Sequence, residues 1–239
     1  MKKYIVVLFL VAFLAGTFIN IPHASAIKVG LISDIHAGKN KIRDREGTNV
    51  VYPRKSLSSF KTALKKFEKE DIDVCLILGD NVDLGDKKYA KELQKIAKKR
   101  PFRILWLRGN HDSTKSMRVL SQADYYIADI KDFRFIILDT SRKNGTSIGF
   151  LDDNQINWFK DALNTNKHVI VAMHHPPFTN KSFDTQYPYK RFMEIVDESS
   201  NIKKIFTGHL HNGIEHGIVS VIVPLTLKDK GGYNILNIE

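Results

Sequence analysis

The chain has 239 residues, 37 Lys and Arg against 26 Asp and Glu, and a formal net charge of +11. Once an N-terminal leader is set aside, that length suits one domain with a sizeable core rather than two full domains. Cys75 is the only cysteine, which excludes an intramolecular disulfide and a cysteine-rich structural zinc site; in the apolar run Val74-Cys75-Leu76-Ile77-Leu78 it reads as a small buried hydrophobe.

The chain opens with Met1-Lys2-Lys3, an almost unbroken apolar run from Tyr4 to Ile19, and a polar stretch ending in Ala24-Ser25-Ala26. This is the layout of a secretory signal peptide over residues 1–26, cut after Ala26. The competing reading is an uncleaved anchor, since the run approaches the ~18 to 20 residues that span a bilayer. The expected location is therefore outside the cytoplasm, whether secreted, periplasmic or bound to a cell wall, with membrane contact only through this segment. Cleavage removes Lys2 and Lys3 and no acid, so +11 becomes +9. A positive field favours anionic partners such as phosphate esters, nucleic acids or wall polymers. Lys61, Lys65, Lys66 and Lys69 fall on the outer face of a helix, so a solvated basic surface is the plainer reading and nucleic acid is not favoured.

Past the leader, short Val/Ile/Leu runs alternate with helical patterns, which predicts an α/β fold with largely buried strands. Strands are expected over 28–33, 74–78, 104–107, 133–138, 168–173, 204–207, 219–223 and 233–238. Leu57, Phe60, Leu64 and Phe67 recur at helical spacing, as do Leu93, Ile96 and Ala97, and Ile156, Phe159 and Leu163. Pro101 ends the second of these helices. The stretches 37–55 and 180–188 are polar and read as long loops, of the kind that often carries function. No repeat or linker divides the chain.

Four strands finish in polar clusters: Asp34-Ile35-His36, Gly79-Asp80-Asn81-Val82-Asp83, Gly109-Asn110-His111-Asp112 and His174-His175-Pro176. A fifth, Gly208-His209-Leu210-His211, follows the strand ending at Thr207. Each alone is an ordinary turn or polar loop. In open α/β sheets, however, the loops beyond the strand carboxyl ends converge on one crevice, and six of the eight histidines outside the leader lie in these clusters. Oxygen and imidazole donors without thiolate suit Mn, Fe, Zn or Co rather than calcium.

The set and its order resemble the calcineurin-like metallophosphoesterase superfamily, whose Asp-x-His, Gly-Asp-x-x-Asp, Gly-Asn-His-Asp/Glu, His and Gly-His-x-His pattern is matched at all five places. The helix around Gln155-Ile156-Asn157-Trp158-Phe159 looks like a further element of that family. The resemblance implies a domain over residues 27–239 with two β-sheets packed as a sandwich between helices, four αββα layers in all. It implies two divalent or trivalent metal ions, one on Asp34, His36 and His211 and the other on Asn110, His174 and His209, with Asp80 bridging. It also implies hydrolysis of a phosphodiester or phosphomonoester by hydroxide held between the metals, with His111 as general acid. Asp112 and His175 are expected behind the ligands, and Asp83 is expected to accept an imidazole proton. Arg43, Arg45, Lys55, Phe178, Tyr187 and Tyr189 are candidates to grip the substrate. No obligate protein partner is evident. The alternative is a non-catalytic, metal-containing protein that binds an anionic wall or surface polymer; the presence of His111 beside every ligand argues against it.

Overall fold

The computed structural model describes residues 26–43, 50–141, 147–177, 187–228 and 231–239, with the side chains of residues 187 and 188 left aside. The leader through residue 25, Arg45, Phe178 and the side chain of Tyr187 lie outside the described residues. Among the described residues no helix is long and apolar enough to cross a membrane.

Two sheets form. The first places β10 (Asn234–Ile238), β1 (Ile27–Ile32), β2 (Val74–Ile77) and β3 (Arg103–Trp106) side by side, with only the β10–β1 pair antiparallel. The second runs β4 (Tyr126–Ile130), β5 (Phe133–Ile137), β6 (His168–Ala172), β7 (Ile202–Thr207), β9 (Val219–Val221) and β8 (Glu215–His216). Its inner strands β5, β6, β7 and β9 are parallel.

The period-2 alternation of each buried strand decides which layer it feeds. Val74, Leu76 and Leu78 point into a core shared with Phe133, Phe135, Ile137, Ile170 and Ala172, so the two sheets pack face to face. Cys75 and Ile77 point the other way, onto Phe60, Leu64 and Phe67 of α1 (Ser56–Lys69), Leu93 of α2 (Lys87–Ala97) and Met117 of α3 (Thr114–Leu120). On the far side Ile136, Val169, Val171 and Met173 meet Ile156 and Phe159 of α4 (Asp153–Ala162) and Phe192, Ile195 and Val196 of α5 (Tyr187–Glu198). The order is helix, sheet, sheet, helix, the four layers that the resemblance implies.

The sequence reading omits β4, β8, α3 and α5, and its loop over 180–188 overlaps the start of α5 at Tyr187. β4 is an edge strand of which only Ala128 is buried, and α3 is seven residues long, too short to show a helical period. What marks α3 is its cap: Ser113 accepts from the Ser116 amide at 3.0 Å. Asp86 and Asp152 cap α2 and α4 likewise.

Helix α1 lies hard on β1. A Cβ at Gly30 would stand 2.7 Å from Phe67 Cε2 and 2.8 Å from Ile72 Cδ1, both buried. Gly30→Ala is therefore expected to lower stability by about 1–3 kcal/mol through overpacking, read as an earlier midpoint in urea; an unchanged midpoint would contradict the close seating of α1.

Candidate metal centre

All five polar clusters lie at the carboxyl ends of parallel strands β1, β2, β3, β6 and β7, and the structure brings them together. The backbone knits the loops: Asp34 N donates to Gly79 O at 3.2 Å, His36 N to Asp80 O at 2.8 Å, and Gly208 N to His174 O at 3.0 Å. Of the eight described non-glycine residues with positive φ, five are Asp34, His36, Asp80, His209 and His211. Such strain persists only where the surroundings over-determine it, and it gathers at functional sites. Gly79, at φ +84, lies so near that a Cβ would stand 2.6 Å from His174 Nδ1, and a Cβ on Gly109 would fall on Asp80 itself. The glycines of the Gly-Asp and Gly-Asn-His motifs are thus required by close packing.

The donor atoms form two neighbouring groups. Asp34, His36 and His211 make one set of mutually close ligand atoms, with His211 Nε2 3.1 Å from Asp34 Oδ1. Asp34, Asp80 and His174 make another, and His174, His175 and His209 a third that overlaps it. Asp80 Oδ2 lies 3.4 Å from His174 Nε2 and 3.7 Å from His36 Nε2, while Asn110 Oδ1 is 3.2 Å from His174 Nε2. The Asp80 carboxylate therefore stands between the halves. A fourth close set, His36, Asp83 and His111, differs because its carboxylate is engaged: Asp83 Oδ1 takes Arg43 Nη1 at 2.5 Å and Oδ2 takes Asn40 Nδ2 at 2.7 Å. Asp83 was expected to accept an imidazole proton; its nearest donors are these two, since the guanidinium reaches it first.

The electrostatics suit cations. Burial pushes the His36 imidazole down to about 3, and burial followed by His174 brings His209 down to about 4, so both are neutral with lone pairs available. Burial alone would lower His174, but the carboxylate of Asp80, helped by Asp34 and the Leu78 carbonyl, raises it to about 9. Burial would raise Asp34, and His211 and His174 instead hold it at about 2. Both ring nitrogens of His36 are buried without a hydrogen-bond partner, a costly arrangement that a coordinated ion relieves. The residues present fit a metal centre.

Next to the candidate ligands, Asp112 works through backbone. Its carboxylate accepts from Gly109 N at 3.0 Å, Asn81 N and Val82 N at 3.1 Å, and Asn81 Nδ2 at 2.8 Å, stapling the loop that bears Asp80 to the loop that bears Asn110 and His111. His175 is buried, with Nδ1 2.8 Å from Thr140 Oγ1, and its ring packs 4.4 Å from that of His209. Sequence reasoning missed Thr140, Ser33, whose hydroxyl bonds the Asp34 carboxylate, and Asn81, whose Nδ2 also donates to Leu107 O at 2.9 Å. Ser33 and Asn81 adjoin motif residues, which was the available signal; nothing in sequence joins Thr140 to His175.

Above the donors a pocket is lined by His36, Arg43, Val51, Asp80, His111, His209 and His211. Arg43 Nη2 lies 3.1 Å from His111 Nε2. Of the other substrate-gripping candidates, Lys55 Nζ sits 4.7 Å above the ring of Tyr52, and Tyr189 packs on the core under α5.

Comparison with known proteins agrees. The family model of the calcineurin-like phosphoesterases matches residues 27–213. A "Probable cyclic nucleotide phosphodiesterase" of Coxiella burnetii is 25% identical over 203 residues, covering 79% of this chain and 77% of that protein. A 3',5'-cyclic-nucleotide phosphodiesterase of Nostoc sp. is 25% identical over 199 residues, covering 77% and 71%. In fold, the chain superposes on a dimetal phosphatase from Danio rerio with a TM-score of 0.71, at 13% identity over 89% of this chain and 98% of that one. With its motif-bearing strand ends inside the matched span, the chain belongs to the calcineurin-like phosphoesterase family and is a metal-dependent phosphoric ester hydrolase.

Proposed function

We propose that the chain is an exported two-metal phosphodiesterase whose substrate is a nucleotide diester, a cyclic nucleotide being the first candidate. The carrying observation is the paired donor sets with Asp80 between them, opening on a pocket whose one permanent cation among the described lining residues is Arg43. Asp83 already takes part of that charge. A singly charged diester matches this better than a dianionic monoester, and the names of the relatives point the same way.

In this reading Asp34, His36 and His211 would hold one cation and Asn110, His174 and His209 the other, with Asp80 shared. When bound, the cations supply Lewis-acid stabilisation of the charge that builds on the phosphoryl group and lower the pKa of water. The chain's own groups do the remainder. His174 Nδ1 lies 2.8 Å from the Leu78 carbonyl, which can only accept, so Nδ1 carries hydrogen and Nε2 faces the site. A guanidinium can only donate, so His111 Nε2 accepts from Arg43 Nη2. A phosphoryl oxygen that takes over Arg43 Nη2 frees the lone pair of His111 Nε2 to take a proton from solvent and pass it to the departing oxygen.

Three outcomes are expected. His111→Ala should keep its metal content and lose roughly 10²–10⁴-fold in kcat, most for aryl-free esters with poor leaving groups; loss of both metals in this variant would overturn the assigned role. His174, charged in the metal-free protein below about pH 9, must shed its Nε2 proton to coordinate. Calorimetric manganese titrations near neutral pH, in buffers of different ionisation heat, should therefore report at least one proton released per chain, the one from His174. That release should fade as the pH passes about 9, and heats that do not depend on the buffer would contradict it. Export predicts a mature protein beginning at Ile27, read by N-terminal sequencing of the fraction outside the cytoplasm; an intact Met1 would refute cleavage.

A further inference from the structure

A second groove opens at the carboxyl ends of β3 and β5, where Arg108 and Asp139 follow the two strands. Arg108, Tyr125, Asp139, Ser141, Phe150 and Gln155 line it, with the exposed Asp124 and Asp152. It is wired to the centre from behind. Arg108 stands two residues before Asn110, and Ser141 Oγ donates to Arg108 O at 3.3 Å. Between Asp139 and Ser141, Thr140 bonds the ring of His175.

Its floor is a built polar surface. Arg108 is 7% exposed. Its Nε donates to Asp112 O at 3.3 Å, yet Nη1 stops 3.7 Å from Asp139 Oδ2, beyond hydrogen-bond length. Asp139 is held rigidly: Gln155 bonds both its backbone N and its backbone O at 2.8 Å, and Ser141 N donates to Oδ1 at 2.8 Å. That leaves Oδ2 and the Nη groups of Arg108, an acceptor beside donors, facing the groove. The half-buried rings of Tyr125 and Phe150 add aromatic surface to the same groove, and Tyr125 is braced edge-on by Trp158 at 4.8 Å between centroids.

We propose that this groove is the binding site for the nucleobase of the substrate. An adjacent ring N–H and carbonyl, as on guanine, would donate to Asp139 and accept from Arg108, while the ring stacks on Tyr125 or Phe150. An ammonium headgroup would suit the three carboxylates but would meet the buried guanidinium, so the base is the better match. The assignment rests on the diesterase reading only for the link between base and reacting phosphate.

The test separates the two. Saturation-transfer NMR with guanosine and adenosine, which carry no phosphate, should show transfer to the base protons with wild type and its loss in Tyr125→Ala and Asp139→Asn. In kinetics, the preference for a 3',5'-cyclic nucleotide over bis-p-nitrophenyl phosphate should fall roughly tenfold in both variants, through KM rather than kcat. No transfer to either nucleoside in wild type would overturn the groove whatever the enzyme hydrolyses. Equal losses on both esters would assign the two residues to structure and overturn it too, and transfer to the methyl groups of glycerophosphocholine instead of the bases would replace the nucleobase by a cationic headgroup. Base transfer without turnover of any cyclic nucleotide would sustain the groove and refute the proposed substrate.

Discussion

The site depends on one buried carboxylate. Asp80 is 2% exposed, at φ +48, with Oδ2 within 4 Å of the Nε2 atoms of His36, His174 and His111 and Oδ1 accepting the His111 amide at 2.8 Å. Burial by itself would protonate such a group; the imidazoles, His174 first, hold it ionised, well below the usual range. Positive φ at a non-glycine residue costs of order 1–3 kcal/mol, and Asp34, His36, His209 and His211 share it. That strain is offset by the frame: the parallel strands are buried on both faces, so their carboxyl ends have no freedom to relax.

The halves around Asp80 differ, and the difference is chemical. Asp34 accepts from Ser33 Oγ and from the His209 amide, and His211 leans on it, so that half is anchored by a carboxylate. The other half is anchored by the Leu78 carbonyl through His174 and by Thr140 through His175. Asp112 joins the β2 and β3 loops beneath both. Geometry in the centre is therefore set by backbone groups together with the Ser33, Thr140 and Asp112 side chains, as expected where candidate ligands must hold their orientation.

The five motif places were legible because each follows a buried apolar run that stops at a polar cluster, and eight strands were legible from their Val, Ile and Leu content. The four layers followed from resemblance, since periodicity shows that a strand is buried and not which neighbour covers it. Four features were illegible for physical reasons. α3 is too short to show a period, and β4 is an exposed edge. Arg43 reaches the site from a polar loop through its bonds to Asp83 and His111, so spacing could not separate it from Lys55. Asp139 and Arg108 lie just past the ends of β5 and β3, strands of different sheets, 31 residues apart in sequence, and only the packing of the two sheets puts them in one groove.

The most direct test of the central claim is a crystal of residues 27–239 grown with manganese and measured at a wavelength that makes the ion scatter anomalously. Two peaks are expected, one among Asp34, His36 and His211, the other among Asn110, His174 and His209, with the Asp80 carboxylate between them. A single peak, or one seated among His36, Asp83 and His111 with Arg43 displaced, would contradict the account.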